Sequence, residues 1–431
     1  MNDIIIVFGI FFGMLAIGVP VAFAMGAAAL VGTTAFLHTS PSAVVVSSLG
    51  GLNKWPWIAV PLFMLLGSLM DACYITRKLI NFMQSIVGHI TGGLAHVSVA
   101  VNVIMAGMSG SILADAAAIG SIMIPDMKKA GYPPGYLAAL IAAGAVIGPL
   151  IPPSIILILI GVICDLSILR LWLGGVMPGV LIAATLIAIS HFICRKKNYA
   201  RTGAATWQQR KSSTISALPA LGIPIVIIGG MRGGMITPTE AGAVAVFYAL
   251  VLGFFVYRTL KVKELYIACL SAAETCSSIM MVIAMATSLG WVLSMLNVGA
   301  SIVELLTTIT TGPIVFLLLT MSIFLVLGCV IDNVPIVLIF VPIVMPAVYT
   351  YGIDPIHFGV FISLIILIGQ LTPPVGMAMY LTIRLADTDV TSYLRHGWPL
   401  LAGLLFDALL IAFVPQIVTF LPDVIMGLRT N

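Results

Sequence analysis

Two aspartates frame the chemistry open to this 431-residue chain. Asp115 follows a Ser109-Gly110-Ser111 turn, and Asp, Glu, Lys and Arg are missing from Leu79 to Ala114 and again from Ala130 to Cys164. A carboxylate at bilayer depth is costly and by default marks a functional site. Asp332 stands in a matching place. Asp115 precedes Pro125 by ten residues, and Asp332 precedes Pro342 by ten. Each unit closes on a glycine followed four residues later by a proline pair: Gly148 to Pro152-Pro153, and Gly369 to Pro373-Pro374. Non-helical backbone survives at that depth only when buried in protein or lining a wet cavity. Its carbonyls are then available as cation ligands. Those of Ser109, Gly110 and Ser111, facing those from Gly148 to Pro152, would hold a bare Na⁺. A second set runs from Gly328 to Asn333 and faces Gly369 to Gly376, where the Thr372 hydroxyl joins. Asp115 and Asp332 would compensate the cation's charge, or else cap the outgoing helical arms through backbone N–H groups.

The surrounding elements must be membrane helices. The chain is 61% hydrophobic and 8% charged, with mean hydropathy +1.19, and apolar stretches of spanning length recur throughout. That excludes a sizeable soluble domain, and the small net charge of +4 says nothing for nucleic acid. The six cysteines (Cys73, Cys164, Cys194, Cys269, Cys276 and Cys329) lack CxxC spacing, so neither a disulfide framework nor a metal site is indicated. The N-terminus has no basic region before its apolar run and reads as a retained first helix.

In chain order, the sequence predicts a span over 4–36 kinked at Pro20, a Ser/Gly/Pro-rich loop to Pro56, and a span over 57–72. An interfacial segment over 73–91 leads to a helical hairpin over 92–127. A span over 135–164 is broken at Gly148–Pro153, and another covers 171–194. Residues 195–211 carry six basic residues and no acid, which places them in the cytoplasm by the positive-inside rule. Spans over 213–230 and 241–257 follow, then one within 265–297. A second hairpin covers 313–350, a broken span 357–383 and a last span 398–421. Counting from 195–211 puts the N-terminus inside, the C-terminus outside, the first hairpin's mouth in the cytoplasm and the second's outside. Inverted repeats with interrupted helices in corresponding places point to a secondary transporter's midplane site.

Other motifs carry less. Thr237-Pro238-Thr239-Glu240 has capping-box spacing and reads as a helix start. Asp407 is isolated in the last span, as a proton carrier or a polar contact between helices. Gly107-Met108-Ser109-Gly110 has the Gly-x-Ser-Gly pattern of intramembrane serine proteases, which need a histidine base at the serine. The candidates are His38, His89, His96, His191, His357 and His396. His96 lies 13 residues before Ser109 on the same arm, about 20 Å away along a helix, and that reading leaves the second repeat unexplained.

Residues 107–125, 148–154, 229–243 and 352–376 together resemble the large membrane subunit of tripartite ATP-independent periplasmic (TRAP) transporters. The resemblance runs from about Pro61 to the C-terminus. It implies an all-α polytopic fold of elevator type, with inverted repeats that each hold a re-entrant hairpin and a broken helix. It implies scaffold and arm at 1–91, transport-domain parts at 92–170 and 313–390, and scaffold at 171–312 and 391–431. It implies no enzyme activity and no organic cofactor, but Na⁺-coupled import of an organic acid such as a C4-dicarboxylate or sugar acid. The partners implied are a small four-helix membrane subunit and a periplasmic solute-binding protein, at the bacterial inner membrane. By this resemblance Na⁺ falls on Ser109, Gly110, Ser111, Asp115, Gly148 and Pro152, and on Gly328, Asp332, Gly369, Thr372, Pro373 and Gly376. The substrate falls between the tips, on Ser109, Ser111, Asn333, Thr372 and Pro374. Cys329, Asn333 and Gln370 depart from the family's pattern beside the second tip. A carrier of similar fold that works without a binding protein is the alternative.

Overall fold

The computed structural model describes residues 2–108, 110–197, 199, 203, 205–233, 235–309 and 312–427. Among the described residues there is no strand. The helices are α1 (Asn2–Ala16), α2 (Val21–Val31), α3 (Ser42–Leu52), α4 (Ala59–Ala72), α5 (Ile75–Val87), α6 (Gly93–Ala106) and α7 (Ile112–Lys129). Next come α8 (Pro134–Ala145), α9 (Ile155–Ile163), α10 (Ile168–Lys197), α11 (Trp207–Arg232), α12 (Pro238–Val251) and α13 (Val262–Met295). The chain ends with α14 (Val298–Ile309), α15 (Pro313–Val330), α16 (Asn333–Thr350), α17 (Pro355–Gly369), α18 (Met377–Ala386), α19 (Val390–Phe413) and α20 (Gln416–Met426). Among the described residues eight helical stretches are long and apolar enough to cross a membrane.

The interrupted helices form the centre. Every residue of α17 is buried, as is α8 from Gly135 onward. A helix apolar on all sides belongs in such a core. Proline and caps set their starts: Pro134 opens α8, and Asp354 caps α17 by accepting from the N–H groups of Ile356 and His357. α7, α8 and α18 pack together, and α16 packs on α17 and on α9. Both breaks are locked to neighbouring helices. Trp172 Nε1 donates to Ser154 O at 3.2 Å, and Tyr393 Oη donates to Leu371 O at 3.1 Å. The main packing partners of α10 and α19 are α6, α8, α17, α20 and each other. They therefore pack with the hairpins and broken helices. A second group has α2, α3 and α4 around α13, with α12 on α4 and α11 on α12.

Four stretches differ from the sequence expectation. Residues 4–36 are not one kinked span. α1 and α2 fold back on each other, with the reversal at Ile17–Pro20 where Gly18 takes φ +86°. That left-handed conformation is one glycine adopts freely. Gly32 then lies against Val7 and Val292, so the N-terminal end of α1 shares a level with the C-terminal part of α13. The expected loop before Pro56 contains α3, bound to α13 where Ser48 and Ser288 share a hydrogen bond of 2.6 Å. The span expected within 265–297 is the single helix α13, but a further helix, α14, follows it where no element was expected. The last span divides into α19 and α20, with Arg170 pairing with Asp423 at 3.4 Å.

Candidate functional site

Ser111 caps α7, its hydroxyl accepting from Ala114 N at 3.5 Å. Asp115 is therefore not the cap; it sits a turn inside α7, fully buried. There its carboxylate lies against the first break, because a Cβ added at Gly148 would run into Asp115 Oδ2. The tip meets the same break from the other side. Gly110 is left-handed at φ +63°, and a Cβ there would stand 2.7 Å from Pro153 O. Thus Gly110, Ser111, Asp115, Gly148 and Pro152–Pro153 converge as the spacing predicts. Ser109 lies outside the described residues.

The second site is built of backbone brought closer still. A Cβ on Gly369 would stand 2.6 Å from Gly328 Cα, so the end of α15 and the end of α17 touch main chain to main chain. A Cβ on Gly376 would meet Gln370 O at 2.8 Å and Thr372 O at 2.7 Å, so those two carbonyls converge there. Thr372 Oγ1 donates to Gly369 O at 2.8 Å and contacts Cys329 Sγ at 2.8 Å. Val375 N donates to Cys329 O at 3.0 Å, tying the loop of the break to the tip. Asp332 occupies the cap position of α16, and its Oδ1 accepts from Gln370 Nε2 at 2.8 Å. Cys329 and Gln370, two of the three residues expected to depart from the family's pattern, therefore bind the tip to the break. Pro152-Pro153 and Pro373-Pro374 are each cis.

Between the tips lies a cavity of about 450 Å³. Gly110 and Ser111 line it from the first tip, Asp332 and Asn333 from the second, and Glu274, Thr275 and Ser278 from α13. A smaller cavity of about 190 Å³ adjoins Ser111 and Asp115 and reaches Asp71 on α4. Two helix N-termini, of α7 and α16, end at the larger cavity. Each start carries a partial positive charge and N–H groups outside the helical ladder, of which Ala114 N goes to Ser111 and those of Asn333 and Val334 to Asp332. A site with converging carbonyls, hydroxyls and two aspartates at helix ends suits a hard monovalent cation next to an anion. Among the described residues no group of three His, Cys, Asp or Glu side chains forms a metal site.

Glu274 was not anticipated. It is the sole charged residue from Leu265 to Asn297, the same lone-carboxylate signal that marks Asp115. Thr237 and Glu240 do form the expected capping box. Asp407 is fully buried and accepts from Thr185 Oγ1 at 2.8 Å, a contact between α19 and α10. Of the histidines, His96 stacks on His191 at 5.7 Å, His357 Nε2 bonds Ile411 O and His396 Nδ1 bonds Ser392 O.

The crystal structure of the Alcanivorax borkumensis YdaH transporter covers 86% of this chain and 87% of its own, with TM-score 0.61 at 14% identity, a likeness of fold. The sialic acid TRAP transporter large permease protein SiaM of Vibrio cholerae is 37% identical over 96% of this chain and 97% of its own. The 2,3-diketo-L-gulonate TRAP transporter large permease protein YiaN of Escherichia coli is 36% identical over 98% of each. These relatives are permeases and not proteases. Residues 8–417 match the family described as tripartite ATP-independent periplasmic transporter, DctM component. The chain belongs to that family, as the multi-pass large permease subunit of a TRAP transporter.

Proposed function

We propose that this subunit imports an organic acid by coupling its entry to Na⁺, and that the acid is handed over by a periplasmic binding protein. The observation that carries the reading is the cavity shared by both hairpin tips, about 450 Å³ in volume. One Na⁺ is held at Ser111, Asp115 and the Gly148–Pro152 break, with the turn at Ser109 and Gly110. The other is held at Gly328, Asp332 and the break from Gly369 to Gly376, including Thr372 and Pro373. Ser111, Asn333, Thr372 and Pro374 face the acid between them, with the N–H groups of α7 and α16 as its anion partners. Two relatives are named for organic acids, sialic acid and 2,3-diketo-L-gulonate.

The mobile unit comprises α6–α10 and α15–α20, and it moves as an elevator against α2–α4 and α11–α14. Orientation follows from basic residues gathered on one face. Tyr132, just after Lys128 and Lys129, packs on Tyr199 at 4.4 Å, and Lys78 lies over the Tyr257 ring at 3.6 Å. That face is cytoplasmic. The first hairpin begins there, Gly92 lying against Cys194. The second closes on the opposite face, where Phe316 stacks on Tyr351 at 5.0 Å. The two units are thus inverted repeats. Because α1 folds back on α2, the N-terminus goes to the outer face, replacing the cytoplasmic placement read from a single span. The C-terminus stays outside, where α20 meets the start of α10. A small four-helix membrane subunit completes the complex at the inner membrane.

The test is uptake into proteoliposomes holding this chain and its small partner, with binding protein and acid outside. Uptake that requires both an inward Na⁺ gradient and the binding protein is expected. Na⁺-driven uptake without the binding protein would favour the simpler carrier, and uptake indifferent to Na⁺ would reject the coupling.

A further inference from the structure

The cavity between the tips is lined by carboxylates and by no base. Glu274 and Asp332 line it, while Lys, Arg and His are absent from its lining among the described residues. The adjoining cavity adds Asp71 and Asp115, again without a base. Lys and Arg are also missing from the segments that carry the two tips and Glu274, at 92–127, 264–295 and 313–350. Glu274 is exposed and stands 12 residues into the 34-residue α13, about 18 Å from its start and close to its middle. An ionisable residue at that depth needs a partner or a wet cavity. The two sodium sites proposed above offset Asp115 and Asp332. Nothing in that scheme offsets Glu274, and a purely anionic substrate would add a further like charge beside it. Asp332 moreover has a donor in Gln370, whereas Glu274 reaches the cavity from the supporting helix, opposite the tips.

We propose that the transported acid is zwitterionic, carrying an ammonium or quaternary ammonium group that pairs with Glu274 while its carboxylate meets the N–H groups of α7 and α16. This rests on the transport reading and sharpens its substrate class. The two ends of such a molecule would span the cavity from the fixed helix to the mobile tips. The acid then supplies the cation that the protein lacks. A site built to pair a charged group discriminates strongly against an analogue without it, because its own charge is left unpaired.

The experiment is Na⁺-driven uptake by the reconstituted complex with binding protein, using matched acids that differ in charge. The pairs are 2-amino acids with their 2-hydroxy counterparts, and trimethylammonioacetate with the isosteric 3,3-dimethylbutanoate. The zwitterionic member is expected to be preferred by roughly tenfold or more. Glu274→Gln should bring that preference close to parity, weakening zwitterion uptake while raising uptake of the anion, and Glu274→Asp should keep part of it. The gain on the anion shows that the variant folds. Preference for the anionic members, unchanged by Glu274→Gln, would overturn the proposal. So would a drop in the number of Na⁺ moved per acid in Glu274→Gln, which would make Glu274 a sodium ligand. A wild-type complex that takes up no acid of either class under a Na⁺ gradient would instead reject the transport reading beneath it.

Discussion

Gly148→Ala puts the first sodium site to a sharp test. The added methyl runs into Asp115 Oδ2, with Ala145 O 3.4 Å on its other side. Asp115 is fully buried, so its carboxylate has no solvent to turn into. The break from Gly148 to Ser154 is pinned by Trp172 and by the Ser154 hydroxyl on Pro149 O, so the main chain cannot easily yield either. Overpacking of this kind costs about 1–3 kcal/mol. Charged to the Na⁺-loaded state, that is roughly a fivefold to 150-fold rise in the Na⁺ concentration for half-maximal uptake. The assay is a Na⁺ titration of uptake at fixed acid and binding protein. Gly229→Ala on α11 is the control, since nothing lies within 4 Å of its Cβ. Unchanged Na⁺ dependence in a folded Gly148→Ala protein would refute the placement of Asp115 against a sodium site at this break.

Other expectations follow from the second site and from topology. Gly369→Ala drives a methyl into Gly328 Cα, main chain against main chain, so its thermal midpoint should fall well below that of Gly229→Ala. Gln370→Leu removes the donor to Asp332 and should cost about 1–3 kcal/mol, read as lower thermal stability together with weaker Na⁺ dependence. In a cysteine-free chain, Gly203→Cys should react with an impermeant maleimide from the cytoplasmic side only, and Met235→Cys from the periplasmic side only. Labelling of both from one side would break the assigned orientation.

Much of this arrangement could be read from residue order. Ser111 before Asp115, the Gly148 and Gly369 breaks, and Thr237 with Glu240 are local signals, and local capping and backbone rules govern them. What was hidden depends on packing. α3 is rich in serine and glycine and reads as a loop, but it forms because Ser48 and Gly51 let it press against Ser288 and Thr287 of α13. Pro20 reads as a kink, while only the partner helix decides whether the chain bends or reverses. α10 and α19 look like ordinary spans. That they pack on the interrupted helices shows only where Trp172 and Tyr393 hold the two breaks. Glu274 was legible in principle, as one acid in a long uncharged stretch, but only the fold shows that it faces the tips.

The central claim is that the tips carry a single site that opens to one side of the membrane at a time. The direct measurement is the reactivity of Asn333→Cys, in a chain otherwise free of cysteine, toward an impermeant thiol reagent applied to either face of oriented proteoliposomes. Under Na⁺ and acid conditions that favour each state, reactivity should be confined to one face and should change sides as conditions change. Simultaneous reactivity from both faces, or from the same face under every condition, would contradict alternating access at this cavity.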